Sequence, residues 1–528
     1  MWSRFLSLGS LLLAGSSLAQ DVFQNPVIYS DFPDNDIFVG PDGAFYFSAS
    51  NFHFSPGAPI LKSTDLVNWD IIGHSLPRLT FGGGYDLPAD GQAAYRGGTW
   101  ASTLRFREST GLWYWIGCTN FWNTWVFTAP AAEGPWEQAA QLGTGGGDGC
   151  FYDNGLLIDD DDTMYVVFGS GNVRVAELAA DGLSTIEVRS VLNNTDVGAD
   201  SLEGNRLYKI NGFYYILNDR PGGTTYIWKS DDVWGPYEHS ILVENVTPPL
   251  AGGNSPHQGS LIETAEGDWY YMSFTWAYPA GRMPVLAPIR WGCDGFPIFV
   301  NGSNGGWGET YPLPFPEQTG PTKNWTRTDR FAGTTLHPSW EWNHNPDVNS
   351  YTVNNGLTLR TASVTNDIYH ARNTLTHRTH GPHPVGTLEF DFTNMAVGDR
   401  AGLSAFRDQS AYIGVHRTSS GYTLSAWHNM TVNEWSGEAV DPGFEAATAP
   451  VPSSARRVWL RADLDTSPTG TRDARFLYSW DGVEYTQLGP IFKLYDGWAW
   501  FLAYRFGIFN FATTARGGSI LVTSFTAA

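Results

Sequence analysis

The sequence predicts an all-β protein, a five-bladed β-propeller followed by a jelly-roll-like β-sandwich. Three observations point there. Glycine and proline, 59 and 31 of 528 residues, exceed their average joint share of roughly 12% and break helices, while 31 Phe, 23 Trp and 24 Tyr favour strands. A turn followed by an aromatic-rich strand recurs five times before residue 305. Beyond residue 324, short segments of alternating apolar and polar residues take over.

In chain order, residues 1–19 carry Arg4, an apolar run over 5–14 and small residues at Ser17 and Ala19, the pattern of a cleaved secretory signal. Five N-x-[S/T] sequons, at Asn193, Asn245, Asn301, Asn324 and Asn429, fit a secreted, extracellular glycoprotein. No stretch approaches the apolar length of a membrane span, so no membrane partner is expected. A net charge of −22 argues against nucleic acid, which needs a basic face. Cys118, Cys150 and Cys293 allow at most one internal disulfide and leave open which residues pair.

Residues 20–304 hold the repeats: DGAFYFSAS from Asp42, TGLWYWIGC from Thr110, DDTMYVVFG from Asp161, NGFYYILND from Asn211 and EGDWYYMSF from Glu266. With Phe45, Trp113, Tyr165, Phe213 and Trp269 taken as equivalent, the spacings are 68, 52, 48 and 56 residues, each the size of one four-stranded blade. A second landmark follows at Lys62, Thr128 and Lys229, predicting the next, more outward strand. The alternative, two stacked sandwiches with unrelated hairpins, is disfavoured by double landmarks at near-constant spacing. Residues 305–324, rich in Gly and Pro and without strand-length alternation, read as a linker, and 325–528 as the sandwich.

Equivalent inner-strand positions of a propeller converge on its axis. Counting back from the landmarks, Asp34, Trp100, Asp153, Glu203 and His257 fall 11, 13, 12, 10 and 12 residues ahead. Three carboxylates and a histidine around one axis suit acid–base catalysis, and like-charged neighbours hold one acid protonated beside an ionised one. Glycoside hydrolysis needs that split, and sugars need aromatic faces, for which Phe52, Trp100, Trp122, Trp125, Trp276 and Tyr278 are candidates. For any one of these aromatics, packing between blades is the competing role.

The segments NPVIYSDFPDND (25–36), GGTWASTLRF (97–106), YDNGLLIDDDDTMYVVFG (152–169), LEGNRLYKINGFYYIL (202–217) and SPHQGSLIE (255–263) resemble glycoside hydrolase family 43. Within it, the chain is most similar to fungal arabinoxylan α-L-arabinofuranosidases that carry a C-terminal sandwich and act on doubly substituted xylose. The resemblance implies Asp34 as general base, Glu203 as general acid and Asp153 as the carboxylate that orients the acid and tunes its pKa. It implies that Arg282 pairs with a carboxylate or a sugar hydroxyl, and that His257 lines the channel, where in some relatives it helps to hold a calcium ion or water. No cofactor is required beyond such a structural calcium. Because the family inverts configuration, the Asp34 and Glu203 carboxyls are expected about 6.5–9.5 Å apart. The run PDND at 33–36 departs from the family's PDPS and leaves Asp31 and Asp36 as rivals for the base; EGN at 203–205 departs from its EGP.

The expected activity is release of terminal α-1,3-linked L-arabinofuranose from arabinoxylan by a monomer. β-Xylosidase or arabinanase share the same carboxylates, and a non-catalytic carbohydrate-binding propeller is the alternative of another class. Asp159 to Asp162 precede a strand as a hairpin turn would, without EF-hand spacing, and His377, His380 and His383 lack a fourth ligand, so neither is taken as a metal site. Trp427, Trp435 and Trp498 are candidates for xylan binding or for the sandwich core and domain interface.

Overall fold

The computed structural model describes residues 22–88, 92–145, 149–319 and 325–528. The proposed signal segment and Asn324 lie outside the described residues. Five four-stranded antiparallel sheets follow one another along the chain. Their first strands are Asp36–Val39, Thr99–Arg107, Gly155–Ile158, Glu203–Ile210 and His257–Glu263, and each packs beside the next until the fifth meets the first. These five line the axis. The landmark aromatics sit one strand further out, at or next to the start of Phe45–Ser48, Leu112–Thr119, Met164–Phe168, Phe213–Arg220 and Trp269–Trp276.

Aromatics at or near the landmarks pack between blades: Trp113 of blade two lies on Tyr46 of blade one at 4.6 Å, Tyr165 on Trp234 at 5.8 Å, and Tyr215, two residues after the exposed Phe213, on Trp291 at 5.4 Å. The motifs at Lys62, Thr128 and Lys229 close the third strand of their blades and turn into the fourth. Cys118 and Cys150 form a disulfide between blade two and the approach to blade three, and Cys293 is free and exposed.

Residues 305–319 are not the strandless linker expected of them. Thr310–Pro312 pairs with Val22–Gln24, joining the two ends of the propeller, and Trp307 is wholly buried against Tyr271 and Phe299. Apolar burial at Trp307 and Tyr311 overrides the turn-forming composition around them.

The sandwich packs a nine-stranded sheet, centred on Val385–Asp391 and Ser519–Ala527, against an eight-stranded one centred on Asp399–Phe406 and Arg505–Ala512. Alternate residues such as Leu388 and Phe390, Leu403 and Ala405, and Val458 and Leu460 point into the shared core. The eighth strand of the second sheet comes from the propeller: Phe54–Ser55 pairs with Trp340–Asn343. The sandwich is therefore docked onto the loop that leaves the second strand of blade one.

Candidate active site

The predicted residues collect at one end of the axis, where the first strands begin. Trp100 is the second residue of its strand, and Glu203 and His257 are the first of theirs. Asp34 and Asp153 are not on inner strands as predicted; each lies two residues ahead, in a turn. Both have left-handed backbones, φ 60° and 47°, a conformation that Asp tolerates better than bulkier residues.

Asp34 is 5% exposed and held from two sides. Arg282 Nη1 donates to its Oδ1 at 2.7 Å and Ser50 Oγ to its Oδ2 at 2.6 Å, fixing an acceptor-only carboxylate. Asp153, equally buried, accepts the Gly204 backbone N–H on Oδ2 at 2.9 Å, and Asn205 Nδ2 donates to its carbonyl. The chain segment that carries Glu203 is thus pinned to Asp153. Tyr152 donates a long hydrogen bond, 3.4 Å, to Glu203 Oε2.

The electrostatics separate these acids. Burial, then the Asp34 charge, pushes Glu203 up to about 7, against the opposing pull of the Tyr152 hydroxyl and Arg282. Burial, followed by the charges of Glu203 and Asp34, lifts Asp153 well above the usual carboxylate range. The site therefore pairs an ion-paired carboxylate with acids that keep a proton well above the usual carboxylate range.

The rivals for the base are engaged elsewhere. Asp31 accepts backbone N–H groups of Arg282 and Ala503. Asp36, with no exposed surface, accepts Arg105 Nη1 at 2.6 Å and the Leu104 N–H; Arg105 and Arg206 outweigh its burial and hold it below the ordinary range.

Aromatic rings wall the mouth. Phe52 packs on Trp100 at 5.0 Å, and Trp276 stands 5.8 Å from the His257 ring. The sandwich supplies Phe501, which stacks on Phe52 and touches Trp100 and Trp276. Trp498 lies against Trp276, while Trp435 covers the Arg96 guanidinium at 3.5 Å, so these two exposed indoles border the mouth. Trp427 instead stacks on Tyr412 within the sandwich. Among buried polar atoms without a protein partner are Arg282 Nε and Nη2 and the indole nitrogens of Trp100 and Trp276, donors suited to sugar hydroxyls. A cleft of about 470 Å³, lined by Tyr85, Arg96, Trp100, Trp122 and Trp435, adjoins this wall.

His257 is buried, with Nδ1 3.0 Å from the Ser255 carbonyl, and burial lowers its pKa. Among the described residues no group of three or more His, Cys, Asp or Glu is placed to hold a metal ion. Asp159 and Asp162 bond Lys209 and Arg107 at the predicted hairpin. His377 is buried, His380 stacks on Trp325 and His383 is exposed beside Asp465.

Sequence reasoning missed Ser50, Tyr152, Phe501 and Asp219. Asp219 carried a signal: a carboxylate ending the apolar run FYYILND of a central strand. Ser50 and Phe501 reach the site through tertiary contacts, which local pattern does not encode.

A propeller whose mouth joins an ion-paired carboxylate, a proton-loaded carboxyl and aromatic walls is the apparatus of a glycoside hydrolase. Comparison with known proteins supplies the family. The profile described as "Glycosyl hydrolases family 43" matches residues 23–297, and "Beta xylosidase C-terminal Concanavalin A-like domain" matches 328–526. The chain belongs to glycosyl hydrolases family 43. It is 32% identical to a non-reducing end α-L-arabinofuranosidase of Bacteroides ovatus over 65% of either chain. It is 26% identical to a β-xylosidase of Formosa agariphila over 95% of this chain and 89% of that one. Among solved structures, a GH43 glycoside hydrolase engineered to display both endo-xylanase and exo-arabinofuranosidase activity superposes with a TM-score of 0.91 and 41% identity, covering 96% of this chain and 99% of that one.

Proposed function

We propose that the chain is a secreted, inverting α-L-arabinofuranosidase that releases terminal α-1,3-linked L-arabinofuranose from arabinoxylan, from doubly substituted xylose. The observation that carries this reading is the closed mouth: Phe501 of the sandwich packs across Phe52, Trp100 and Trp276 beside the carboxylates. A wall there favours removal of single terminal sugars over internal cleavage, and the adjoining cleft along Trp122 and Trp435 offers aromatic faces to a main chain.

In this mechanism Asp34, oriented by Arg282 and Ser50, takes a proton from water as it attacks the anomeric carbon. Glu203 protonates the departing xylosyl oxygen, and Asp153 fixes the Glu203–Gly204 segment through the Gly204 N–H. His257 and the free edges of Arg282 and Trp100 meet sugar hydroxyls. β-Xylosidase is the second reading, favoured by the description of the C-terminal family and by the Formosa relative.

The deciding experiment follows arabinose and xylose separately during hydrolysis of arabinoxylan by wild type and Glu203→Ala. Arabinose from wild type, with a loss of roughly 10²–10⁴ in the variant, is the expected result. Xylose instead would replace the substrate, and equal rates on singly and doubly substituted oligosaccharides would sink the substitution preference.

A further inference from the structure

Asp219 stands opposite Glu203 in the register of the first two strands of blade four. It has no exposed surface, and neither carboxylate oxygen has a hydrogen-bond partner. Glu203, Asp153 and Asp34 repel a charge on it and Arg206 favours it, while Tyr271 faces it from blade five. Arg206 is already committed: its Nη1 and Nη2 donate to the carbonyls of Asn154, Asn205, Asp34 and Asn35. A buried carboxylate without an ion-pair partner is strongly disfavoured, so charges on Asp219 and Glu203 exclude each other and the facing pair keeps at least one proton well above the usual carboxylate range. Burial and the neighbouring acids act in the same direction.

The contact with the acid is close. Gly204 has φ +67°, and a Cβ there would fall within the radius of Asp219 Oδ1 and 2.6 Å from Gln258 Cγ. Asp219 thus fills the space below the residue that links Glu203 to Asp153.

We propose that Asp219 is a positioning residue for the reaction, a second proton-carrying carboxyl that backs Glu203 and keeps the acid loaded as pH rises. This rests on Glu203 being the general acid. Two facing acids lose their first proton as a pair. Some singly ionised molecules then keep the proton on Glu203 with the charge on Asp219, and these remain competent. An amide at 219 takes no share of that charge.

The test compares pH profiles of kcat/KM for wild type and Asp219→Asn on an arabinoxylan oligosaccharide and on a nitrophenyl arabinofuranoside, whose leaving group needs little protonation. The alkaline limb on the oligosaccharide should move to lower pH. About one unit above the limb, the variant-to-wild-type ratio should fall about 3- to 10-fold below its plateau value. On the nitrophenyl glycoside the shift should shrink. An unmoved limb, or an equal loss at every pH on both substrates, would overturn the proposal. Asp219→Ser, also neutral and smaller, gives the same comparison if the asparagine variant does not fold. Glu203→Gln run in parallel isolates the underlying reading: a variant that spares the oligosaccharide refutes Glu203 as the acid, whatever Asp219→Asn does.

Discussion

Glu203 is held in a state that folding alone would not choose, and that has a measurable cost. The native state keeps its proton up to about 7, whereas the ordinary value is 4.5. Below 4.5 both folded and unfolded chains carry the proton, and this residue costs nothing. Between 4.5 and about 7 the unfolded chain binds fewer protons than the native one, so stability falls as pH rises. Above that window the native state bears a buried carboxylate facing Asp34, at a cost of about 3 kcal/mol, taking about 1.4 kcal/mol per pKa unit. Glu203→Gln keeps the shape, accepts the Tyr152 hydrogen bond and removes the charge. The variant should therefore match wild type in chemical denaturation near pH 4 and exceed it by up to about 3 kcal/mol near pH 8, while losing activity on arabinoxylan. A difference that does not change with pH would refute the argument, because it would mean that the unfolded chain holds the Glu203 proton as tightly as the native one.

Three further outcomes follow from the packing. Gly204→Ala forces a side chain into a left-handed backbone against Asp219 and Gln258; about 2–4 kcal/mol of stability should go, with a fall in kcat as the Asp153 tether shifts, read by denaturation and initial rates. Phe501→Ala removes a ring packed on Phe52, Trp100 and Trp276, and should raise KM for oligosaccharides about 10- to 100-fold without moving either limb of the pH profile. Glu341→Gln leaves Arg378 and Arg505 buried without their anion, and should destabilise by about 3–5 kcal/mol in thermal or chemical denaturation.

Much of this site was legible in the sequence because a propeller repeats. The landmark aromatics recur at or next to the start of the second strand of every blade, and counting back from them reaches the start of every inner strand. That is why Trp100, Glu203 and His257 fall on those strands and Asp34 and Asp153 just before them. The count put the two aspartates on inner strands, whereas each lies two residues ahead of its strand in a turn with positive φ, which residue spacing does not reveal. Trp307 eluded composition, since one buried indole outweighs the glycines around it. Glu341 was equally silent: a lone acid between tryptophans acquires Arg378 and Arg505 only when distant strands of the sandwich come together, and His74 only when the propeller meets it.

That meeting explains why a hydrolase with its carboxylates all in the propeller carries a second domain fastened so firmly to it. The contacts converge on residues 50–55. Ser50 orients the Asp34 carboxylate, and Phe52, two residues on, forms the wall of the mouth. Between them, Asn51 Oδ1 accepts Nη2 of both Arg378 and Arg505 from the sandwich. Phe54–Ser55 then becomes the edge strand of a sandwich sheet. Left to itself, a loop with a left-handed Phe52 would sample other conformations and carry Ser50 with it. The sandwich also binds Asp31 through the Ala503 N–H, and Asp31 in turn accepts the backbone N–H of Arg282, the residue that pairs with Asp34. Both supports of the Asp34 carboxylate thus run back to the C-terminal domain, one through Ser50 and one through Arg282, while the same domain sets Phe501 against the aromatic wall. In this chain the sandwich helps to build the geometry around Asp34.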